Sequence, residues 1–257
     1  MTPAPYKIHK FDVIDSTNTR ARRMALESAP EWTVVAARAQ QQGRGRYRRK
    51  WESPSGKGLW FSIILRPEIP LEKVNLINLS AALSVRSFLE KKILREGKQN
   101  EGIISLKWPN DVLANQRKIC GILLESSTSV NQLDFLIVGI GINVNHLISD
   151  FSPAIRQRAT SLRLITGRYY DLDELLDEFL QQFYYELNGS LNRNFEGIIP
   201  EYEACMLYKG EMITIDLHHQ IIKGKLAGLD SNGFLRVKTQ TGERLITSGE
   251  IWQNGQE

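Results

Sequence analysis

Apolar positions divide the chain into short strand-like runs interrupted by two long helical stretches. Ile8, Phe11, Val13 and Ile14 predict a strand over 7–14, and any of Asp15, Ser16, Thr17 or Asn18 can cap a helix running to about Glu27. The β-branched run 32–37 predicts a buried strand, and 58–65 a second one, ended by Pro67 and Pro70. Residues 40–57 between them are polar, basic and glycine-bearing, hence a long loop. Leu71, Val74, Ile77, Ala81, Val85, Phe88 and Leu89 recur at helical spacing over 71–95 with no Gly or Pro. A second helix is predicted over 171–191, capped by Asp171, and a shorter one over 195–208. Strands are predicted over 103–108, 111–115, 117–125 and 132–138, and the short junctions at 115–116 and 129–131 favour antiparallel hairpins. From Gly210 the pattern changes to short strands (212–217, 221–229, 234–238, 244–246) separated by Gly or Asp-Ser-Asn-Gly turns, which suits a small β-barrel. The expected fold class is α+β: a mixed, largely antiparallel sheet packed with helices over 1–205, followed by a small all-β unit over 206–257.

Composition narrows the class. With 257 residues, 42% hydrophobic and 24% charged, the chain can bury a sizeable core. No apolar run approaches the ~20 residues of a membrane span, and the start, MTPAPYKIHKFDV, has neither an apolar core nor a cleavage site of a secretory signal. A cytoplasmic protein is expected. Cys120 and Cys205 are far apart; Cys120 lies in an apolar run and reads as a buried inert thiol. The net charge of +4 does not suggest a whole-surface nucleic-acid binder, but Arg38, Arg44, Arg46, Arg48, Arg49 and Lys50 fall within thirteen residues.

That cluster holds the sharpest chemical feature, Gln40-Gln41-Gln42-Gly43-Arg44-Gly45-Arg46-Tyr47-Arg48-Arg49-Lys50-Trp51. Glycines permit close backbone approach while arginines supply planar donors for phosphate or carboxylate. Such a loop repels itself and is expected to stay mobile until an anion neutralises it. Alone it fits equally a solvated basic loop or a nucleic-acid contact. Lys107-Trp108-Pro109-Asn110-Asp111 sits at a strand end, where the lysine can project into a cleft as a fixed charge; the segment also suits a plain turn. Gly139-Ile140-Gly141-Ile142-Asn143 ends a buried strand, its alternating glycines leaving room for a ligand. Neither glycine run is a dinucleotide fingerprint, since Val144 and Arg48 stand at the third glycine position, and Gly58 after Gly56-Lys57 excludes a Walker A loop. His9, His146, His218 and His219 lack zinc-ligand spacing and read as surface or partly packed, with His218 and His219 facing opposite ways on a strand. No nucleophile elbow or H-E-x-x-H is present.

Six stretches in order together resemble the biotin protein ligase family. They are Asp15-Ser16-Thr17-Asn18, Gln40-x-x-Gly43-Arg44-Gly45-Arg46, Trp51-x-Ser53-Pro54-x-Gly56-x-Gly58-Leu59, Lys107-Trp108-Pro109-Asn110-Asp111, Lys118-x-x-Gly121-Ile122-Leu123-x-Glu125 and Gly139-x-Gly141-Ile142-Asn143. The resemblance implies the class II synthetase-like biotin/lipoate ligase fold with a C-terminal SH3-like barrel. It implies an ATP- and Mg²⁺-dependent enzyme that makes biotinyl-5′-AMP and transfers biotin to one lysine of a biotin carboxyl carrier protein. By position it places Ser16, Thr17, Asn18, Gln40, Gln41, Gly43, Arg44, Gly45, Arg46, Lys107, Gly139 and Gly141 at biotin. Arg46, Arg49, Trp51, Lys107 and Asn143 fall on the nucleotide side, Lys107 and Arg46 are the catalytic candidates, and Asp111 is a magnesium candidate beside Asn110. The residue chemistry agrees, because joining a carboxylate to an α-phosphate needs positioned cations and no protein nucleophile.

The sequence departs from the family pattern at Arg48, where a glycine is usual, and at Arg38, where a glutamate is common. Only about fifteen residues precede the Ser-Thr-Asn motif, too few for a helix-turn-helix domain, so a monofunctional enzyme without DNA or membrane binding is expected. A monomer or homodimer is implied, the homodimer favoured, and exposed strand edges near 117–125 or 132–138 are candidates for pairing with the carrier or a second subunit. Two other readings remain: a lipoyl or octanoyl ligase of related fold, and a non-enzymatic ligand sensor or nucleic-acid binder using the basic loop.

Overall fold

The computed structural model describes residues 6–97, 104–217 and 220–253, so His218 and His219 lie outside the described residues. Strands β1 (Lys7–Ile14), β2 (Thr33–Gln40), β3 (Gly58–Leu65), β4 (Ile104–Lys107), β5 (Asp111–Ala114), β6 (Arg117–Ser129) and β7 (Gln132–Asn143) form one sheet. Its order is β1-β2-β3-β7-β6-β5-β4. Only β1 and β2 run parallel; the 17–32 segment between them carries α1 (Thr17–Leu26) as the crossover. Every other neighbour is antiparallel, and the tight turns at Asn115–Gln116 and Val130–Asn131 have the positive φ values that two-residue hairpins demand.

The two faces of this sheet differ in a way that the period-two pattern dictates. One face presents Val34, Ala36, Leu59, Phe61, Ile63, Leu65, Val138, Ile140, Ile142, Cys120 and Ile122 to the helices α2 (Val74–Arg95) and α4 (Leu172–Asn192), forming the main apolar core. The opposite face carries Val35, Ile64 and Ile137 only under α1, where Ala21 and Ala25 cover them. Beyond α1, the residues in register on this face are Ser62 opposite Gly139, Trp60 opposite Gly141, and Gly121 and Leu123 of β6 opposite Gly141 and Gly139. Three glycines and Ser62, bordered by Trp60, and a single short covering helix thus leave a shallow floor at the sheet centre.

Asp171 caps α4 by accepting from Asp173 N (2.9 Å) and Glu174 N (3.0 Å). α3 (Leu162–Thr166) is a short helix the sequence pattern did not suggest, started by Ser161 and stopped by Gly167 at φ 82°. The stretch 195–208 is helical only over α5 (Ile198–Ala204), because Asn194, Phe195, Gly197 and Tyr208 all take positive φ and break the helix around it. β6 and β7 are longer than expected and lie inside the sheet. Over Leu136–Ile142, β7 is flanked by both β3 and β6, so within 132–138 only residues 132–135 keep an open side. β6 beyond Gly121 has β7 alone as its strand partner, so only its far half keeps an open side.

A second, antiparallel sheet has the order β11-β10-β9-β8-β12, from β8 (Met212–Asp216), β9 (Ile221–Leu229), β10 (Leu235–Thr239), β11 (Gly242–Ile246) and β12 (Glu250–Gln253). Its inward residues Ile213, Ile215, Leu226, Leu235 and Val237 join the main apolar cluster. Trp108 Nε1 and Asn75 Nδ2 both donate to Gly233 O, at 3.0 and 2.7 Å, pinning the β9–β10 turn to α2 and to the segment just after β4.

Candidate active site

The start of α1 anchors one end of the floor. Ser16 takes an extended conformation (φ −155°) ahead of the helix, and Thr17 and Asn18 turn inward and are buried. Thr17 donates to Gln40 Oε1 through N (2.7 Å) and Oγ1 (3.1 Å). Ser62 Oγ lies 2.8 Å from Thr17 Oγ1 and 2.7 Å from Asn18 Oδ1, and Asn18 Nδ2 donates to Glu125 Oε2 at 2.8 Å. Gln40 Nε2 reaches Ser53 Oγ at 2.8 Å. The Asn18 amide occupies the space a Cβ on Gly139 would take, so glycine is required there by close approach. Ser62 was not singled out from the sequence; a hydroxyl within Gly-Leu-Trp-Phe-Ser-Ile-Ile-Leu was its only signal.

At the other end of the floor, Gly121 and Gly141 are paired across β6 and β7 and carry the Trp51 indole. A Cβ on Gly141 would fall 2.6 Å from Trp51 Nε1, and one on Gly121 would fall 3.0 Å from its Cζ3. Trp51 Nε1 is buried without a hydrogen-bond partner. Lys118 Nζ stands 5.2 Å from the indole centroid and 2.7 Å from Asp111 Oδ1. Asn143, opposite Gly58 at the strand end, is buried and donates to Thr160 O at 3.0 Å, bracing the following segment.

Lys107 ends β4 on the same face, directly across from Asp111, which in turn faces Gly121. Burial pushes the Lys107 pKa down; Asp111 opposes that shift and the Lys118 charge adds to it. The Trp108–Pro109 peptide that follows is cis. Asn110 Nδ2 donates to Ile122 O at 2.9 Å, holding the turn against β6.

The basic loop folds back as a small hairpin, with Trp51 N donating to Gly43 O at 2.8 Å and Gly45 N to Arg49 O at 2.8 Å. Trp51 O fills the space a Gly43 side chain would need. Against the expectation of unrelieved self-repulsion, the loop finds counter-charges within the molecule. Arg44 pairs with Glu125 (2.7 Å), Arg49 with Glu250 (2.8 Å), and Arg46 donates to Gly249 O (3.2 Å) and approaches Asn110 Oδ1 (3.5 Å). Gln41 donates its backbone N–H to Ile14 O (2.9 Å) while its side chain is exposed. Arg48 sits at φ 60°, in the left-handed region.

Thr17, Asn18, Gly139, Gly141, Trp51, Lys107 and Asp111 border one face; the loop carrying Arg44, Arg46 and Arg49 folds back toward Glu125, Gly249 and Glu250, Asn143 is covered, and Gln41 points outward. Cys120 lies on the opposite face, its thiol pushed up by burial. His146 is buried, contrary to a surface or partly packed reading, stacked 4.6 Å from Phe151 with its pKa lowered to about 4 by desolvation. Among the described residues no three His, Cys, Asp or Glu side chains gather as a metal site, and no helix is long and apolar enough to cross a membrane. The arrangement offers clustered cations, a polar pocket and a flat floor, with no activated nucleophile.

Comparison with known proteins gives the same picture. Residues 10–143 match the biotin/lipoate A/B protein ligase family, and residues 209–252 match the biotin protein ligase C terminal domain. The chain is 36% identical over 240 residues to the bifunctional ligase/repressor BirA of Bacillus spizizenii, covering 93% of this chain and 72% of that protein. It is 31% identical over 246 residues to the biotin--[acetyl-CoA-carboxylase] ligase of Paracoccus denitrificans, covering 94% and 98%. The biotin protein ligase of Aquifex aeolicus in complex with biotin and ATP superposes with a TM-score of 0.76 at 34% identity, covering 96% of this chain and 97% of that one.

Proposed function

The chain belongs to the biotin/lipoate A/B protein ligase family, within it to the biotin protein ligases, and we infer from this that its open floor joins biotin to AMP. The protein is an ATP-dependent ligase: it activates biotin as biotinyl-5′-AMP and transfers it to a lysine of a biotin carboxyl carrier protein. In the first step a biotin carboxylate oxygen attacks the α-phosphorus of ATP and the bond to pyrophosphate breaks. In the second, the carrier lysine amine attacks the acyl carbon, and AMP leaves with the bonding electrons. Both steps depend on positioning and charge stabilisation.

The observation that carries the assignment of roles is Lys107, half-buried on the glycine-floored face with Asp111 already engaged by Lys118. In this reading its ammonium meets the biotin carboxylate and the α-phosphate together. Thr17, Asn18, Gln40 and Ser62 form a donor–acceptor set suited to the ureido ring, with buried Ser16 just ahead of them in the chain and Gly139 and Gly141 beneath. Gly43, Arg44, Gly45 and Arg46 close over the adenylate, with Gln41 at the loop's base. Arg49 and Trp51 lie on the nucleotide side, and Asn143 supports that side from below through Thr160. Magnesium would come with ATP as part of the substrate and would supply charge neutralisation at the phosphates; Asp111, the magnesium candidate, is paired with Lys118 at 2.7 Å and fits better as its counter-ion. Residues 1–205 act as the catalytic unit and 206–257 as a small β unit touching the loop through Gly249 and Glu250. The far half of β6 is the edge offered to the carrier or to a second subunit of a homodimer, in the cytoplasm.

Lys107→Met tests the assignment: it keeps the chain length and removes the charge. Adenylate formation followed by mass spectrometry is expected to fall by roughly a hundredfold or more, with the fold unchanged by circular dichroism. Near-normal formation would remove Lys107 from the chemistry.

A further inference from the structure

Lys107 is the last residue of β4, a four-residue edge strand, and the turn Trp108-Pro109-Asn110 returns the chain to Asp111 in β5. Pro109 has no N–H to give, and its carbonyl needs a donor from outside the turn. The turn is held from three sides. From β6, Ile122 N donates to Asn110 O and receives the Asn110 amide at its own carbonyl, both at 2.9 Å. From the C-terminal sheet, Gly233 O accepts from Trp108 Nε1 at 3.0 Å. From α2, buried Asn78 donates Nδ2 to Pro109 O at 2.5 Å.

Asn75 stands one turn before Asn78 on α2 and donates to the same Gly233 O at 2.7 Å, so one carbonyl of the β9–β10 turn ties α2 to Trp108. The approach is close: a Cβ on Gly233, which sits at φ 78°, would lie 2.7 Å from Leu79 Cδ1 and 2.9 Å from Asn75 Nδ2. Around these asparagines Leu76, Ile77 and Leu79 belong to the main core, where asparagine is a poor choice both as a helix former and as a buried amide. Pro109 O can only accept, so the Asn78 amide must turn Nδ2 toward it, and Oδ1 is left buried without a hydrogen-bond partner. An apolar side chain of the same size would leave no such orphan, so the reason for the amide lies in what it holds.

We infer that Asn78 and Asn75 are positioning residues for adenylation: through Pro109 O and Gly233 O they fix the turn between Lys107 and Asp111, and they make the β9–β10 turn part of its seat. The inference rests on the ligase reading and deepens it. α2 packs on the face of the sheet opposite the floor, so both asparagines act through the turn and not on substrate. Without the Asn78 amide, Pro109 O loses its donor, and the turn holds Lys107 less firmly in place. One neutral hydrogen bond of this kind corresponds to a factor of about three to ten.

Biotin-dependent ATP–pyrophosphate exchange on the full chain, with KM for biotin and ATP, tests this alongside thermal unfolding and hydrogen exchange of the peptide covering the turn. Asn78→Leu is expected to lower kcat about threefold to tenfold at near-constant KM for biotin and to speed hydrogen exchange in that peptide. Its melting temperature is expected to stay level or rise, because the orphaned Oδ1 goes with the amide. Asn75→Leu leaves Trp108 Nε1 on Gly233 O and is expected to lower kcat less, about twofold to fivefold. A role in folding alone predicts the reverse for Asn78→Leu, a lower melting temperature with kcat per folded molecule intact, and that result overturns the inference. Wild-type kcat in either variant overturns it too, and both results leave the ligase reading standing. Folded wild-type protein that gives no exchange overturns the ligase reading and the inference with it.

Discussion

Arg48 occupies the place in the loop where the family usually has glycine, and its backbone takes the conformation glycine favours, φ 60°. A side chain in the left-handed region costs roughly 1–2 kcal/mol, and replacing it with glycine returns part of that, ~0.5–1 kcal/mol, through the greater freedom of the open loop. Arg48→Gly should therefore favour the folded-back loop conformation by about 0.5–1 kcal/mol, a factor of roughly two to five, provided that conformation is the one kept over the adenylate. Arg48→Ala separates the causes, because it removes the same charge and keeps the strained backbone. The assay is release of preformed biotinyl-5′-AMP: complex isolated by gel filtration, diluted into excess unlabelled biotin, and the dissociation followed. The glycine variant is expected to release the adenylate about two to five times more slowly than wild type, and the alanine variant no more slowly. Equal rates for wild type and Arg48→Gly, or an alanine variant as slow as the glycine one, would show that backbone strain at this position does not govern closure.

Other changes probe separate parts of the site. Arg46→Gly removes the tie to Gly249 O and a cation over the adenylate, so diffusible adenylate should label bystander lysines in a mixed-protein assay; strict carrier specificity would contradict the loop's role. Gly141→Ala places a Cβ 2.6 Å from Trp51 Nε1 and must lift the indole, which should raise KM for ATP by up to roughly a hundredfold and change tryptophan emission; unchanged values would separate Trp51 from the nucleotide. His146, with a pKa lowered to about 4 from 6.5, is neutral in the fold while the unfolded chain takes up a proton between those values. Stability contributed by neutral His146 is thus complete above about pH 6.5 and lost as pH falls toward 4, by about 3 kcal/mol at the acid end. Denaturant midpoints across that range should be steeper in pH for wild type than for His146→Phe, and parallel curves would refute it.

What the sequence revealed and what it hid follow from the range of the interactions. β1 and β3 have the bounds their apolar runs predicted, because those patterns are local. The break-up of 195–208 hinged on left-handed turns at Asn194, Phe195 and Gly197, of which Phe195 carries no sequence signal for that conformation. β12 was missed since four residues paired only with β8 have no period to detect. Residue types announced the Ser-Thr-Asn corner, the basic loop and Lys107, but not the partners that hold them. Ser62 reads as one more position in a buried strand, and Lys118 reaches the floor only through a register slip against a strand whose pairing no local pattern encodes.

The central claim is that this site activates biotin, and ATP–pyrophosphate exchange measures that half-reaction without a carrier. With purified, folded protein, exchange should require biotin and should not be supported by lipoate or octanoate. Exchange with lipoate or octanoate in place of biotin would keep the mechanism and overturn the substrate; exchange with none of the three would contradict the account.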